Sequence, residues 1–131
     1  MISWFEKHNK TSWGITILGA ISIFYISSLV FPTEKVQTNL LAITYHISAF
    51  FLLTLFLLIS SIQGKKIKLI PIPMILLILY GILDELHQYF IPGRDFSLLD
   101  IFLDTTGILM ASMFYFILIL LKNNPKTLKK L

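Results

Sequence analysis

The stretch MILLILYGILDELHQYF, residues 74–90, decides how this chain folds. Met74–Leu83 is a continuous apolar run with no polar–apolar alternation, so it reads as a helix immersed in hydrocarbon rather than as a strand. It then ends in Asp84 and Glu85. A segment bound for lipid that finishes in acid needs a protein interior to receive those acids. The rest of the chain supplies the means. It has 131 residues, 56% hydrophobic and only 14% charged, against a charged share of roughly 25% in soluble domains. No soluble fold hides so much apolar side chain, so lipid must be part of the solvent.

Working outward from that stretch, four apolar segments appear: Ser12–Phe31, Leu40–Ile62, about Ile67–Phe90, and Leu98–Leu121. Each is long enough to cross a hydrocarbon core of roughly 30 Å at 1.5 Å per residue. The fold expected is therefore an all-α membrane protein, one domain over residues 1–131 with four transmembrane helices. Pro71 and Pro73 fall at the start of the third, where a missing N–H costs little. The first segment is longer than a signal-peptide core and ends in LVFPTEK without a small-residue cleavage site, so it is expected to be retained.

Lysine sets the direction. Lys7, Lys10, Lys65, Lys66, Lys68, Lys122, Lys126, Lys129 and Lys130 fall on one side of the spans, against Lys35 and Arg94 on the other. The positive-inside rule then puts both termini in the cytoplasm of a multi-pass cell-membrane protein. The loops Pro32–Asn39 and Ile91–Ser97 face outward. The lysine clusters lack interleaved aromatics, which argues for lipid headgroups and against nucleic acid as their partner. No cysteine is present, which excludes disulfides, thiolate metal sites and a cysteine nucleophile.

Counted from the outer ends, the polar residues share a depth. Asp84 and Glu85 lie about 10–12 Å below Pro92, Asp104 about 10 Å below Ser97, and His46 roughly 10 Å below Asn39. Tyr25 and Ser28 fall within about 6–10 Å of Pro32. Gly81, Asp84, Glu85 and Gln88 form one stripe on the third helix, and Asp100, Asp104, Gly107 and Ala111 another on the fourth. Acids facing lipid are costly, so both stripes should face inward, toward each other. Gly107 and Ala111 allow close helix approach.

Several residues have plain structural readings. Ser97 with Asp100 fits a capping box; Asp95 is a solvated loop residue; Pro92-Gly93 is a turn. His87, Tyr89 and Phe90 read as interfacial, and His46 as either an interhelical hydrogen bond or chemistry. Glu85 and Arg94 are the pair expected to carry function, as a bidentate ion pair folded back across the turn.

Glu85-x-x-Gln88, then Phe90-x-Pro92-Gly93-Arg94, Ser97, Asp100 and Gly107 resemble the signature of the VanZ-like family. Phe24–Ser28 before Pro32 resembles the end of that family's first helix, and His46 followed by Phe50 the histidine of its second. The family often has asparagine where this chain has Asp104, and an Asp-Lys pair where it has Ala42-Ile43. The resemblance implies a small bacterial four-helix membrane protein of the cell envelope that lowers susceptibility to teicoplanin-type glycopeptides.

Three functions stay open on these residues. The first is an envelope protein whose outward pocket of Glu85, Gln88, Arg94, Asp100, Asp104, His46 and Tyr25 binds a lipid-linked cell-wall precursor or a glycopeptide without turnover. The second is an intramembrane hydrolase or transferase acting on a lipid headgroup, with Glu85 or Asp84 as general base, His46 as proton shuttle and Arg94 as phosphate clamp. No serine-nucleophile motif or metal-ligand spacing supports it, and neither metal nor cofactor is expected. The third is an ion-coupled carrier, which would need a homo-oligomer, since four helices make a thin wall.

Overall fold

The computed structural model describes residues 2–30 and 40–123. The expected outer loop Pro32–Asn39 with Lys35, the end of the first span at Phe31, and Lys126, Lys129 and Lys130 lie outside the described residues. The regular elements among the described residues are all helical, without a strand: α1 (Ile2–Lys7), α2 (Asn9–Ser27), α3 (Leu40–Ile62), a 3₁₀ turn (Ile67–Leu69), α4 (Pro71–Tyr89) and α5 (Leu98–Asn123). Proline opens α4 as its position predicted, because the first helical N–H has no partner to lose. The α3 end is set by Gln63 and Gly64, both at positive φ. Gly64 is required twice over there: its φ is +66°, and a Cβ would come within 2.9 Å of Glu6 Oε1.

Three helical segments are long and apolar enough to cross a membrane, α3, Ile67–Tyr89 and α5, and not the four expected. The exception is α2. It opens on the polar run Asn9-Lys10-Thr11-Ser12, and its described helix stops at Ser27, so polar residues dilute a short apolar stretch. It is still a full member of the bundle. Its lower end lies near Glu6, which pairs with Lys122 of α5 at 2.7 Å, and its upper end bonds α4 through Ser27. Both described ends of the chain therefore meet at one end of the bundle.

The α3–α5 contact is the most extensive in the bundle, and Gly107 makes it possible. A Cβ at that position would collide with the Ile47 carbonyl oxygen and lie 3.1 Å from Phe51 N, so here helix backbone meets helix backbone. Two apolar layers fill the lower and middle bundle. Leu58, Ile59, Ile62, Tyr115 and Ile119 form the lower one, and Ile23, Phe50, Leu53, Leu77 and Ile108 the middle one. Large apolar side chains cover the outside, including Leu18, Ile21, Leu83, Phe102 and Met113, while Asp84, Glu85, Gln88 and Asp104 are buried. That inversion of the soluble pattern is what lipid as solvent selects.

Candidate functional site

The upper third of the bundle holds two linked polar clusters. The first is built on α4. Glu85 is fully buried; its Oε2 accepts the Ser97 backbone N–H at 2.9 Å and its Oε1 accepts from Gln88 Nε2 at 3.0 Å. The other hydrogen of the same amide goes to Asp84 Oδ2, also at 3.0 Å. Asp84 Oδ1 in turn accepts the Ser27 hydroxyl of α2 at 2.7 Å. With its amide nitrogen committed to two acids, Gln88 presents its carbonyl oxygen to Arg94 Nη2. The guanidinium is held a second time by the Leu29 carbonyl, 3.2 Å from Nη1.

The expected Glu85–Arg94 ion pair is therefore not formed. Gln88 stands between them, one helical turn above the acids and so better placed to meet a side chain returning across the Pro92-Gly93 turn. Arg94 stays half-exposed at the mouth. A guanidinium carries five donors, and the contacts to Gln88 and Leu29 leave part of the fork available.

The second cluster joins α3 to α5. His46 Nδ1 lies 2.9 Å from Asp104 Oδ1, and its Nε2 lies 3.8 Å from Asp100 Oδ2. A carboxylate only accepts, so Nδ1 carries the hydrogen toward Asp104, and Nε2 is the nitrogen turned to Asp100. Asp104 also borders α4: a Cβ on Gly81 would sit 3.4 Å from its Oδ2. The small residue at 81 thus brings the α4 acids and the α5 acid into one layer.

The capping box at the start of α5 is half realised. Asp100 N bonds Ser97 Oγ at 3.2 Å, as in such a box, but the Ser97 N–H is taken by Glu85 from the neighbouring helix. That substitution frees the Asp100 carboxylate to face His46. A buried acid completing another helix's cap is a tertiary event, and no local spacing announces it.

Of the expected site residues, Asp84, Glu85, Gln88 and Arg94 fall in the first cluster, and His46, Asp100 and Asp104 in the second. Tyr25 is in neither; it is 65% exposed on the outer face of α2. The α2 contribution comes instead from Ser27 and from Ser28, whose Oγ is 3.1 Å from His87 Nε2, with Phe24 stacked on the same imidazole at 4.4 Å. A sequence signal for Ser27 exists: Ser12, Thr16, Ile23 and Ser27 repeat at helical spacing and are the buried face of α2. Tyr45 was also missed. Its hydroxyl is buried without a hydrogen-bond partner among the described residues, and its ring meets that of His46 edge-on at 5.5 Å.

Among the described residues no three of these side chains are set to hold a metal ion. The arrangement can do two things chemically. It can receive a charged group at the Arg94 mouth, and it can orient an imidazole between carboxylates.

No curated protein and no solved structure matches the chain. The family model described as VanZ/LLP1 matches residues 4–120, which takes in α2, α3 and α4, most of α1 and α5, and both polar clusters. The chain belongs to the VanZ-like family.

Proposed function

We propose that this protein is a bacterial envelope protein whose upper polar clusters face outward and bind the polar head of a lipid-linked ligand, lowering susceptibility to teicoplanin-type glycopeptides. The observation that carries the reading is Arg94. It is the chain's only arginine, it is held at the mouth by Gln88 and a backbone carbonyl, and no carboxylate among the described residues neutralises it. A guanidinium so positioned is suited to a phosphate or carboxylate from outside. The acids behind it would meet any positive group on the same ligand.

Orientation and the number of crossings belong to this proposal. The lysine asymmetry supports a cytoplasmic position for the Glu6–Lys122 end. Because α2 runs from that end to Asp84, we take it as a fourth crossing packed against α3.

The test is expression of wild type, Arg94→Lys and Glu85→Gln in a susceptible bacterium, with teicoplanin susceptibility and lipid retained on purification as readouts. Lysine keeps the charge but loses the planar fork. Both variants should insert and purify like wild type and lose about ten- to a hundredfold in binding, the value of a charge-assisted hydrogen bond of roughly 1.5–3 kcal/mol. Wild-type binding in Arg94→Lys would refute recognition by the fork, and poor folding of both variants would make these residues structural glue.

A second reading rests on His46. An imidazole oriented by Asp104 with its other nitrogen toward a second carboxylate, Asp100, is suited to shuttle a proton. An intramembrane hydrolase or transferase would release headgroup product from lipid incubated with the purified protein, and His46→Gln would stop it.

A further inference from the structure

Between α2 and α3 runs a groove of about 320 Å³, lined by Ile15, Gly19 and Ile23 on one side and Ala49, Leu53 and Phe56 on the other. Its lining is apolar apart from Ser22 and, at its upper end, Tyr45. From Ile15 to Ile26 it spans roughly 16 Å at 1.5 Å per residue, about half of a ~30 Å hydrocarbon core, which is the depth of one leaflet. Gly19 gives it part of its depth: a Cβ there would rest 3.5 Å from Leu53 Cδ1, so any larger side chain would extend into the space. Its upper end is polar in a specific way. The Tyr45 hydroxyl is buried without a hydrogen-bond partner among the described residues, and its ring meets edge-on the His46 imidazole, which lies 2.9 Å from Asp104. Buried hydroxyls are normally paired, so this donor is set for an acceptor from outside the chain.

We propose that the groove seats one acyl chain of a phospholipid with an amine-bearing, zwitterionic headgroup, its phosphate on Arg94 and its ammonium drawn to the carboxylates of the polar layer, Asp84 and Asp104. The groove supplies the apolar half of the fit, and Tyr45 donates to an ester or phosphate oxygen at the junction. The charges supply the discrimination. A purely anionic headgroup would satisfy Arg94 but would be opposed by Asp84 and Asp104, whereas an amine on the same headgroup turns that opposition into attraction. The headgroup placement rests on the reading of Arg94 given above; the tail placement rests on the groove alone.

The experiment uses the full chain in nanodiscs containing phosphatidylethanolamine with a photoactivatable acyl chain, or the matching phosphatidylglycerol, with crosslinks mapped by mass spectrometry. Phe102 and Met113, exposed on α5, report ordinary lipid contact and serve as the internal reference. The ethanolamine probe should label Ile15–Ile23 and Ala49–Phe56 about tenfold above the α5 reference, and the glycerol probe several-fold less, each tenfold being about 1.4 kcal/mol. Gly19→Leu, or Ala49→Leu should the first fail to fold, should reduce groove labelling to the reference level and leave the α5 face unchanged. Equal labelling of groove and α5 face in the wild type overturns the proposal, whatever the variants do. Preference for the glycerol probe overturns the zwitterionic assignment. Groove labelling that persists unchanged in Arg94→Gln keeps the tail in place but overturns the headgroup seat at Arg94, and with it the reading of that residue above.

Discussion

The two ends of the bundle solve the same problem, a buried carboxylate, in different ways. At the lower end Glu6 has a single acid's worth of partners, and they balance it. Lys122 Nζ lies 2.7 Å from Oε2, and the Tyr115 hydroxyl donates to Oε1 at 3.3 Å while accepting from Gly64 N at 3.0 Å. Charge meets charge, α1 is fastened over the ends of α3 and α5, and nothing is left over. At the upper end Asp84, Glu85 and Asp104 are buried and served mainly by neutral donors and one imidazole, while the only arginine is kept at the mouth. Leaving carboxylates short of cations costs stability, and such costs concentrate where a protein acts on something else. The lower end reads as fastening and the upper end as a site.

The change with the largest expected effect breaks both ends together. Gly107 lies against the α3 backbone, so Gly107→Val has no side chain to push aside, only Ile47 and Phe51 main chain. Separating α3 from α5 moves His46 from Asp104 above and Leu58 from Tyr115 below. We expect a loss of about 2–3 kcal/mol or more in stability, seen as unfolding in mild detergent, with binding lost in parallel. If stability fell and the residual folded protein bound normally, the two ends would be independent and the shared scaffold argument would fail.

How much of this was legible beforehand follows from which residues carry periodic information. The long apolar runs of α3, α4 and α5 and the inward stripes at Asp84–Gln88 and Asp100–Gly107 are repeats at helical spacing, so both the helices and their buried faces could be read off. The depth of the polar layer was countable for the same reason. Side-chain partners were not. Gln88 displacing Arg94 from Glu85, and Glu85 capping α5 in place of Asp100, depend on where one helix end meets another, and no spacing within a helix encodes that. The short α1 was missed because Lys7 and Lys10 read as topology signals, although Glu6 and Phe5 tie it to the bundle. Among the described residues only three of the four expected segments are long and apolar enough to cross, because the apolar stretch after Trp13 was weighed without the polar residues that open the same helix.

A middle-sized effect separates the ends. Lys122 is about half exposed and Glu6 is not, so the pair is worth more than a solvent-exposed bridge and less than a buried one. A double-mutant cycle with Glu6→Gln and Lys122→Met should give a coupling of about 0.5–1 kcal/mol in detergent unfolding, weakening as salt rises. Lipid retention and drug susceptibility should stay within twofold of wild type, about 0.4 kcal/mol. A large loss of binding from either single change would mean that the lower end participates in function, and the contrast drawn above would dissolve.

The smallest expected effect concerns two residues of one helix at nearly one depth. Tyr25 and Ser27 are two positions apart, which at about 3.6 residues per turn sets them on nearly opposite faces. Depth alone selected Tyr25; direction selects Ser27, whose hydroxyl bonds Asp84 while Tyr25 stays on the outer face. Tyr25→Phe removes an exposed hydroxyl and keeps the ring at the interface, so stability should change by less than about 0.5 kcal/mol and binding not at all. Ser27→Ala leaves the carboxylate of Asp84, among the described residues, with the Gln88 amide alone and should cost about 1–2 kcal/mol, read as a drop in unfolding midpoint and a several-fold loss of lipid retention. Equal losses in the two variants, or a loss confined to Tyr25→Phe, would turn α2 by half a revolution and take Ser27 out of the site.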